Sequence, residues 1–166
     1  MKKALIRLRF MLKMNLFVQL LEEPDLPNVE ETMQEALQRK SRLKNWAIHK
    51  VLWLDGVHRK YVEEVGSMNV MFKIEGKIVT APCEGTVLPG VTRDSIITLL
   101  KSWGYEIVER HLSIDELMEA GHSGKLEEAW GTGTAAVISP IGELYYKGDV
   151  VTVHDFMTGE LTQKTI

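Results

Sequence analysis

The sequence predicts an α+β fold in which a mixed, strongly twisted sheet with hairpins carries a few flanking helices. Strand-like and helix-like segments follow one another without a regular β-α-β repeat. Hairpin signals recur, for example where Glu75-Gly76-Lys77 separates two apolar runs. A doubly wound parallel sheet needs a crossover helix between successive strands, so these observations favour the mixed sheet.

The N-terminal part of the chain divides at a proline-containing break over residues 24–28. Residues 1–28 are expected to form a leader of uncertain order, because Lys and Arg alternate with apolar residues and no acid precedes Glu22. These charges interrupt the apolar stretch that a signal peptide needs, which favours an amphipathic helix or an ill-ordered leader. Residues 29–166 are expected to form one domain. It begins with a helix over residues 30–43, whose apolar stripe includes Met33 and Leu37.

The next segments have the pattern of strands. Residues 50–54 are predicted to form a buried strand, and Asp55-Gly56 a turn before a second strand over residues 61–65. Residues 70–74 and 78–79 are the two arms of the predicted hairpin.

Three helices are predicted in the second half. Apolar residues at helical spacing place one over residues 92–103, ended by Gly104. Ser113 and Glu116 have the spacing of a capping box, which opens a second helix that ends at Gly121. Residues 159–166 have the pattern of a helix start.

Between these helices the chain offers further strands. One is predicted around residues 105–108, leading towards the second helix. Three short strands are predicted between residues 135 and 153, separated by Pro140-Ile141-Gly142 and Lys147-Gly148-Asp149.

Composition excludes several classes of function. A chain of 166 residues with 45% hydrophobic content is large enough for a domain with its own core. Its net charge of -3 argues against nucleic acid as the main partner. No apolar run reaches the ~20 residues of a membrane span. The single Cys83 excludes an internal disulfide and fits either a reducing compartment or indifference to redox conditions, and we expect a cytoplasmic protein. The five histidines show no metal-ligand spacing.

The first segment that points to chemistry runs from Val62 to Asn69 and places a carboxylate, Glu64, at the end of an apolar strand. Taken alone, Glu64 is most simply a carboxylate on an exposed strand edge, beside an equally plausible Glu63. The Val-Gly-Ser-Met-Asn sequence that follows favours a site.

Two further segments suit an anion. Leu88-Pro89-Gly90-Val91-Thr92-Arg93 is a turn that opens into a helix, so the Val91 and Thr92 amides and the Thr92 hydroxyl would face a phosphate. The simpler alternative is a Pro-Gly turn with Thr92 as the helix N-cap.

The glycines of Gly131-Thr132-Gly133-Thr134-Ala135-Ala136 allow close approach of a ligand to the backbone. Thr134 offers both a hydroxyl and an N–H. An acid with two anion cradles suits a phosphorylated, protonated aromatic cofactor.

In this order the three segments resemble the large, cofactor-binding domain of the branched-chain amino acid aminotransferases, which belong to fold type IV; the match is strongest over residues 50–166. The resemblance implies pyridoxal 5'-phosphate as cofactor, with Glu64 beside its ring nitrogen. It implies a phosphate site formed by Gly90, Val91, Thr92, Gly133 and Thr134, and a substrate-carboxylate site formed by Thr134 and Ala135. The implied reaction moves the amino group of leucine, isoleucine or valine to 2-oxoglutarate, so the partners are small amino and 2-oxo acids, in a protein expected to be a homo-oligomer.

The chain departs from the family pattern at the Schiff-base lysine. The family carries this lysine in a Lys-x-Gly-Gly-Asn-Tyr-like stretch upstream of the first strand, where this chain reads Leu26 to Thr32. Lys40 and Lys44 are the closest lysines, on what reads as a solvated helix face. No catalytic residue is therefore identified, and the domain over residues 29–166 is expected to be incomplete and inactive alone. A non-catalytic remnant or an oligomerisation module remains the alternative.

Overall fold

A computed structural model of the chain describes residues 5–10, 16–17, 49–134 and 137–166. The strands in these ranges are β1 (Leu5–Phe10), β2 (Leu16–Phe17), β3 (His49–Leu54), β4 (Val62–Val65), β5 (Met68–Ile74), β6 (Lys77–Thr80), β7 (Ile107–Glu109), β8 (Leu126–Thr132), β9 (Ile138–Tyr146) and β10 (Asp149–Thr152). The helices are α1 (Val91–Ser102), α2 (Ile114–His122) and α3 (Glu160–Thr165), with a 3-10 turn at His154–Phe156.

The described strands form one sheet around β5. This strand pairs antiparallel with β8 along one edge and with β4 and then β6 along the other. β6 and β7 run parallel, as do β2 and β3, whereas the other pairings in the described ranges are antiparallel. The predicted α+β fold with a mixed sheet is therefore confirmed.

Two apolar clusters lie on the two faces of β5 and β8. Alternate residues of β5, such as Val70 and Phe72, pack with Leu117 and other residues of α2. Met71 of β5 and Trp130 of β8 instead pack with α1. Since successive side chains of a strand point to opposite faces, this alternation assigns the two faces to two different helices.

Several local predictions hold in the described structure. The hairpin over residues 68–80 is confirmed, and the three predicted helices appear within one or two residues of their expected bounds. The Ser113 hydroxyl accepts a hydrogen bond from the Glu116 amide at 3.1 Å, which is half of the capping box. The Glu116 carboxylate contacts the Arg110 guanidinium instead of completing the box.

Two predictions were wrong, and one strand was missed. Residues Leu5–Phe10 form a strand paired with β3 and β9 rather than the expected amphipathic helix or ill-ordered leader, because their alternation of apolar and basic residues also has the period of two that suits a strand. The three short strands after residue 135 are two, since β9 continues through Pro140. There β9 pairs with β8, and its pairing with β1 is confined to Leu144 and Tyr145, so the missing N–H of the proline is tolerated.

β8 was missed because Glu127 and Glu128 interrupt its apolar pattern and Gly131 lowers its strand propensity. The predicted helix over residues 30–43, and with it Lys40 and Lys44, lies outside the described residues. None of the helices in the described ranges is long and apolar enough to cross a membrane.

Candidate functional site

The site begins with a β-bulge that turns Glu64 away from the apolar face of β4. Val62 pairs with Leu54 and Glu64 with the adjacent Trp53, so Glu63 is the extra residue of the bulge. Val62 and Val65 are both buried as a result, and Glu64 is half-buried next to Asn69. The bulge thus explains how two adjacent glutamates fit between two buried valines.

The bulge also separates the roles of the two glutamates. The Glu63 carboxylate accepts a hydrogen bond from the exposed Thr86 hydroxyl at 2.7 Å. Glu64 Oε1 accepts the Leu88 backbone N–H at 3.0 Å. Glu64, and not Glu63, is therefore the carboxylate that reaches the turn before α1.

The Asn69 side chain completes this junction. Its Nδ2 donates to the Leu88 carbonyl at 2.8 Å and lies 3.4 Å from Glu64 Oε1. A Cβ added at Gly90 would lie 2.3 Å from Asn69 Oδ1, so the turn packs directly on the amide. The first and second predicted segments meet here.

The N-terminus of α1 has no side-chain cap. Its N-cap is Gly90, and the first backbone bond of the helix runs from the Asp94 amide to the Gly90 carbonyl. The amides of Val91, Thr92 and Arg93 precede that bond, so they have no partner within the helix. The alternative in which Thr92 caps the helix was wrong, because Thr92 lies inside the first turn.

The third segment reaches the site through β8. Thr132 pairs with Asn69, which pairs on its other edge with Glu64, so these three residues form one row across the sheet. Gly131 and Thr132 belong to β8 and lie in register with β5 and β9. The glycine-rich segment therefore begins inside the sheet, and its loop starts at Gly133.

The loop after β8 carries the remaining predicted residues. Gly133 is half-buried, and a Cβ there would lie 2.8 Å from the Met68 side chain. Thr134 is exposed in this loop. Ala135 lies outside the described residues.

Two buried residues at this junction were not assigned a role from the sequence. Arg93 Nη2 donates to the Ala81 carbonyl and to Glu109 Oε2, both at 2.8 Å, and so ties the first turn of α1 to the ends of β6 and β7. The Thr132 hydroxyl is buried without a hydrogen-bond partner among the described residues. Arg93 was visible as a cation in the first turn of a predicted helix, where a positive charge is unfavourable unless it is paired.

Lys50 is another residue that sequence reasoning did not select. Its Nζ lies 3.4 Å from Met68 Sδ, and burial lowers the pKa of its amine. Lys50 alternates with Val51 and shares its face with Leu52, which pairs with Val65. The amine therefore extends from the face opposite to Glu64.

Comparison with known proteins bears on this arrangement. A sequence model of the family described as amino-transferase class IV matches residues 34–144. The chain is 54% identical over 115 residues to branched-chain-amino-acid aminotransferase 2 of Bacillus subtilis (strain 168), which is 69% of this chain and 32% of that protein. It is 47% identical over 129 residues to branched-chain-amino-acid transaminase 1 of the same organism, covering 78% of this chain and 36% of that protein.

Solved structures show the same likeness. The branched-chain amino acid aminotransferase from Escherichia coli matches with a TM-score of 0.59 and 28% identity, over 76% of this chain and 38% of that one. A T.th. branched-chain amino acid aminotransferase complexed with N-(5'-phosphopyridoxyl)-L-glutamate matches with a TM-score of 0.58 and 26% identity, over 80% and 40% of the two chains. The chain thus spans about a third of the length of the curated relatives that it matches. Since the family match covers more than half of the sequence, the chain belongs to the class IV aminotransferases.

Proposed function

We propose that this chain forms the cofactor-binding part of a branched-chain amino acid aminotransferase and binds pyridoxal 5'-phosphate at the junction of β4, α1 and β8. One observation carries the proposal. The hydrogen bond from Leu88 N to Glu64 Oε1 joins a carboxylate to the turn before an uncapped helix N-terminus. A pyridine ring bearing a phosphate matches this pair of features, because it presents a protonated nitrogen at one place and an anion at another.

The residues at the junction fit the phosphate. The amides of Val91 and Thr92 would donate to its oxygens at the positive end of the α1 dipole, and the absence of a Cβ at Gly90 leaves the turn close to Asn69. Thr134 would add a hydroxyl from the loop after β8. Gly133 lets that loop pass close to Met68.

The Glu64 carboxylate fits the ring nitrogen. One of its oxygens is held by Leu88 N, and within the described residues the other has no hydrogen-bond partner. A carboxylate fixed in this way would keep a proton on the ring nitrogen. When bound, the cofactor supplies an electron sink that stabilises negative charge on the substrate carbon. Thr134 and Ala135 would contact the substrate carboxylate.

The complete reaction belongs to this proposal as well. The relatives are named branched-chain amino acid aminotransferases, which supports transfer of the amino group of leucine, isoleucine or valine. We propose 2-oxoglutarate as the acceptor and the cytoplasm as the location. We propose that the protein acts as a homo-oligomer. The 166 residues contain no Lys-x-Gly-Gly-Asn-Tyr-like stretch, so we propose that they do not catalyse this transfer alone.

Titration calorimetry of the 166-residue chain with pyridoxal 5'-phosphate and with inorganic phosphate tests the binding proposal. We expect Thr92→Val and Thr134→Val each to weaken both ligands by about 5-fold, the worth of one hydrogen bond. Glu64→Gln should weaken the cofactor and leave inorganic phosphate unchanged. Thr152→Val, at an exposed position on β10, is the matched control. A chain that is folded by circular dichroism but binds neither ligand at millimolar concentration would contradict the proposal.

A leucine–2-oxoglutarate assay of the same chain tests the proposed lack of turnover. We expect no product above the rate with free cofactor. If product forms, the variants Lys40→Ala, Lys44→Ala and Lys50→Ala will identify the amine responsible, and the proposal that the chain is inactive alone is withdrawn.

A further inference from the structure

We infer that Asn69 is a positioning residue that sets the separation between the Glu64 carboxylate and the amides at the start of α1. The site thereby favours a ligand that carries a ring nitrogen and a phosphate on one rigid frame over a ligand that carries either group alone. The inference rests on the proposed function, since it concerns how that same site discriminates between ligands.

The hydrogen bonds of Asn69 support this role. Its Nδ2 donates to the Leu88 carbonyl at 2.8 Å and lies 3.4 Å from Glu64 Oε1, while Leu88 N donates to the same Glu64 oxygen at 3.0 Å. Three groups thus form a closed set of contacts between β4, β5 and the turn. Moving the turn relative to Glu64 would lengthen at least one of them.

The packing of Gly90 against Asn69 is independent evidence. The φ of Gly90 is -73°, a value open to any L-residue, so the backbone conformation does not demand glycine here. Space does demand it, because a Cβ at this position would lie 2.3 Å from Asn69 Oδ1. The N-cap residue of α1 is therefore held against the Asn69 amide by direct contact.

Burial makes this contact a rigid one. Asn69 is 6% exposed and lies between Glu64 and Thr132 in the cross-strand row. A buried amide that is already hydrogen-bonded has little freedom to rotate, and its loss would leave the Leu88 carbonyl without this donor. The separation of the two anchor points is consequently set before a ligand arrives.

A preset separation has a measurable consequence for affinity. A ligand that engages both anchors gains from the second contact only if the anchors already stand at the right distance. A ligand that engages one anchor gains nothing from that distance. Loss of Asn69 should therefore weaken the two kinds of ligand to different extents.

The test compares pyridoxine 5'-phosphate, which has both groups but no aldehyde to react with a lysine, with inorganic phosphate. Calorimetry on the 166-residue chain should show that Asn69→Ala weakens pyridoxine 5'-phosphate about 10-fold and inorganic phosphate less than 2-fold. Equal weakening of both ligands, or of neither, would overturn the inference. If the unaltered chain binds pyridoxine 5'-phosphate no better than inorganic phosphate, the proposed function itself fails.

A second variant keeps the test valid if Asn69→Ala does not fold. Asn69→Leu keeps the volume of the side chain but removes the Nδ2 donor to the Leu88 carbonyl, so it should reproduce the selective loss of pyridoxine 5'-phosphate binding. Thr152→Val, at the exposed position on β10, is the control and should leave both affinities unchanged. Equal weakening of the two ligands by Asn69→Leu would contradict the inference.

Discussion

The N-termini of α3 and α1 have opposite solutions to the same problem of unpaired backbone amides. In α3, the Leu161 and Thr162 amides donate to the Glu128 carboxylate at 3.1 and 2.8 Å, and the Thr162 hydroxyl donates to it at 2.7 Å. Glu128 comes from β8 and is buried. In α1, Gly90 supplies no side chain, and the first-turn amides have no partner of this kind among the described residues.

The difference is that the fold supplies a carboxylate to the N-terminus of α3 and, within the described residues, supplies none to the N-terminus of α1. Glu128 is an internal anion at a helix N-terminus, with the charge and the acceptor geometry that a bound phosphate would bring. Alternation along β8 places Glu128 and Thr132 on the same face of the sheet. The same face of β8 therefore lies near two helix N-termini. Glu128 caps that of α3, and we propose that a ligand caps that of α1.

The largest expected effect comes from breaking the internal cap. Glu128→Gln removes the charge and replaces one acceptor oxygen by an NH2 group, which cannot accept from the amides of α3. We therefore expect the free energy of unfolding to fall by about 3 kcal/mol. Urea unfolding followed by circular dichroism measures it, with Glu119→Gln on the exposed side of α2 as control. A loss no larger than that of the control would show that α3 does not depend on this cap. Phosphate affinity at α1 should not change.

Asp55 is a second carboxylate that accepts hydrogen bonds from backbone amides, and its contribution to stability can be tested at low pH. The Asp55 carboxylate accepts the Lys60 and Tyr61 amides, both at 2.8 Å, as well as that of His58. Burial alone would raise the pKa of Asp55, but these backbone hydrogen bonds and the nearby His58 outweigh it and hold the pKa well below its ordinary value.

Because the pKa of Asp55 is lowered on folding, its contribution is complete above the unfolded pKa of about 4 and is lost as the pH falls below that value. Asp55→Asn should cost about 2 kcal/mol at pH 7, from the weakening of three amide hydrogen bonds. It should also flatten the decline of stability below pH 4. Urea unfolding from pH 7 to pH 3 checks both effects, and a variant with the same acid slope as the parent chain would refute this assignment.

The smallest expected effect comes from removing the negative charge in the first turn of α1. Asp94 is the acid in its first turn and is exposed, so it interacts favourably with the helix dipole but repels an incoming anion. Asp94→Asn should lower the free energy of unfolding by a few tenths of a kcal/mol and strengthen phosphate binding about 2-fold at low salt. Asp115→Asn, in the first turn of α2, should share the first effect and not the second. Equal phosphate affinities for both variants would argue against a phosphate site at α1.

Local signals in the sequence predicted much of this fold. The hairpin at Glu75-Gly76-Lys77, the Ser113 cap and the start of α3 each depend on residues within one or two turns of chain, and each is present. β8 was missed because a glutamate such as Glu128 is expected at the surface. Its burial is explained only by its hydrogen bonds to the amides of α3. The leader was expected to be an amphipathic helix or ill-ordered, but Leu5–Phe10 is a strand, because pairing with β3 decides between two compatible periods.

The candidate site likewise has features that are local in the sequence and features that depend on the tertiary structure. The sequence by itself determined that a carboxylate, a turn leading into a helix and a glycine-rich segment occur in one order, and the resemblance attached roles to Glu64, Thr92 and Thr134. Only the tertiary structure decided that Glu64 rather than Glu63 meets the turn, and that Asn69 and Gly90 lie in contact. These decisions depend on a bulge and on hydrogen bonds between residues about 20 positions apart, such as that from Asn69 to Leu88. No local propensity encodes such pairs, because they form only when the sheet has brought its strands and the turn together.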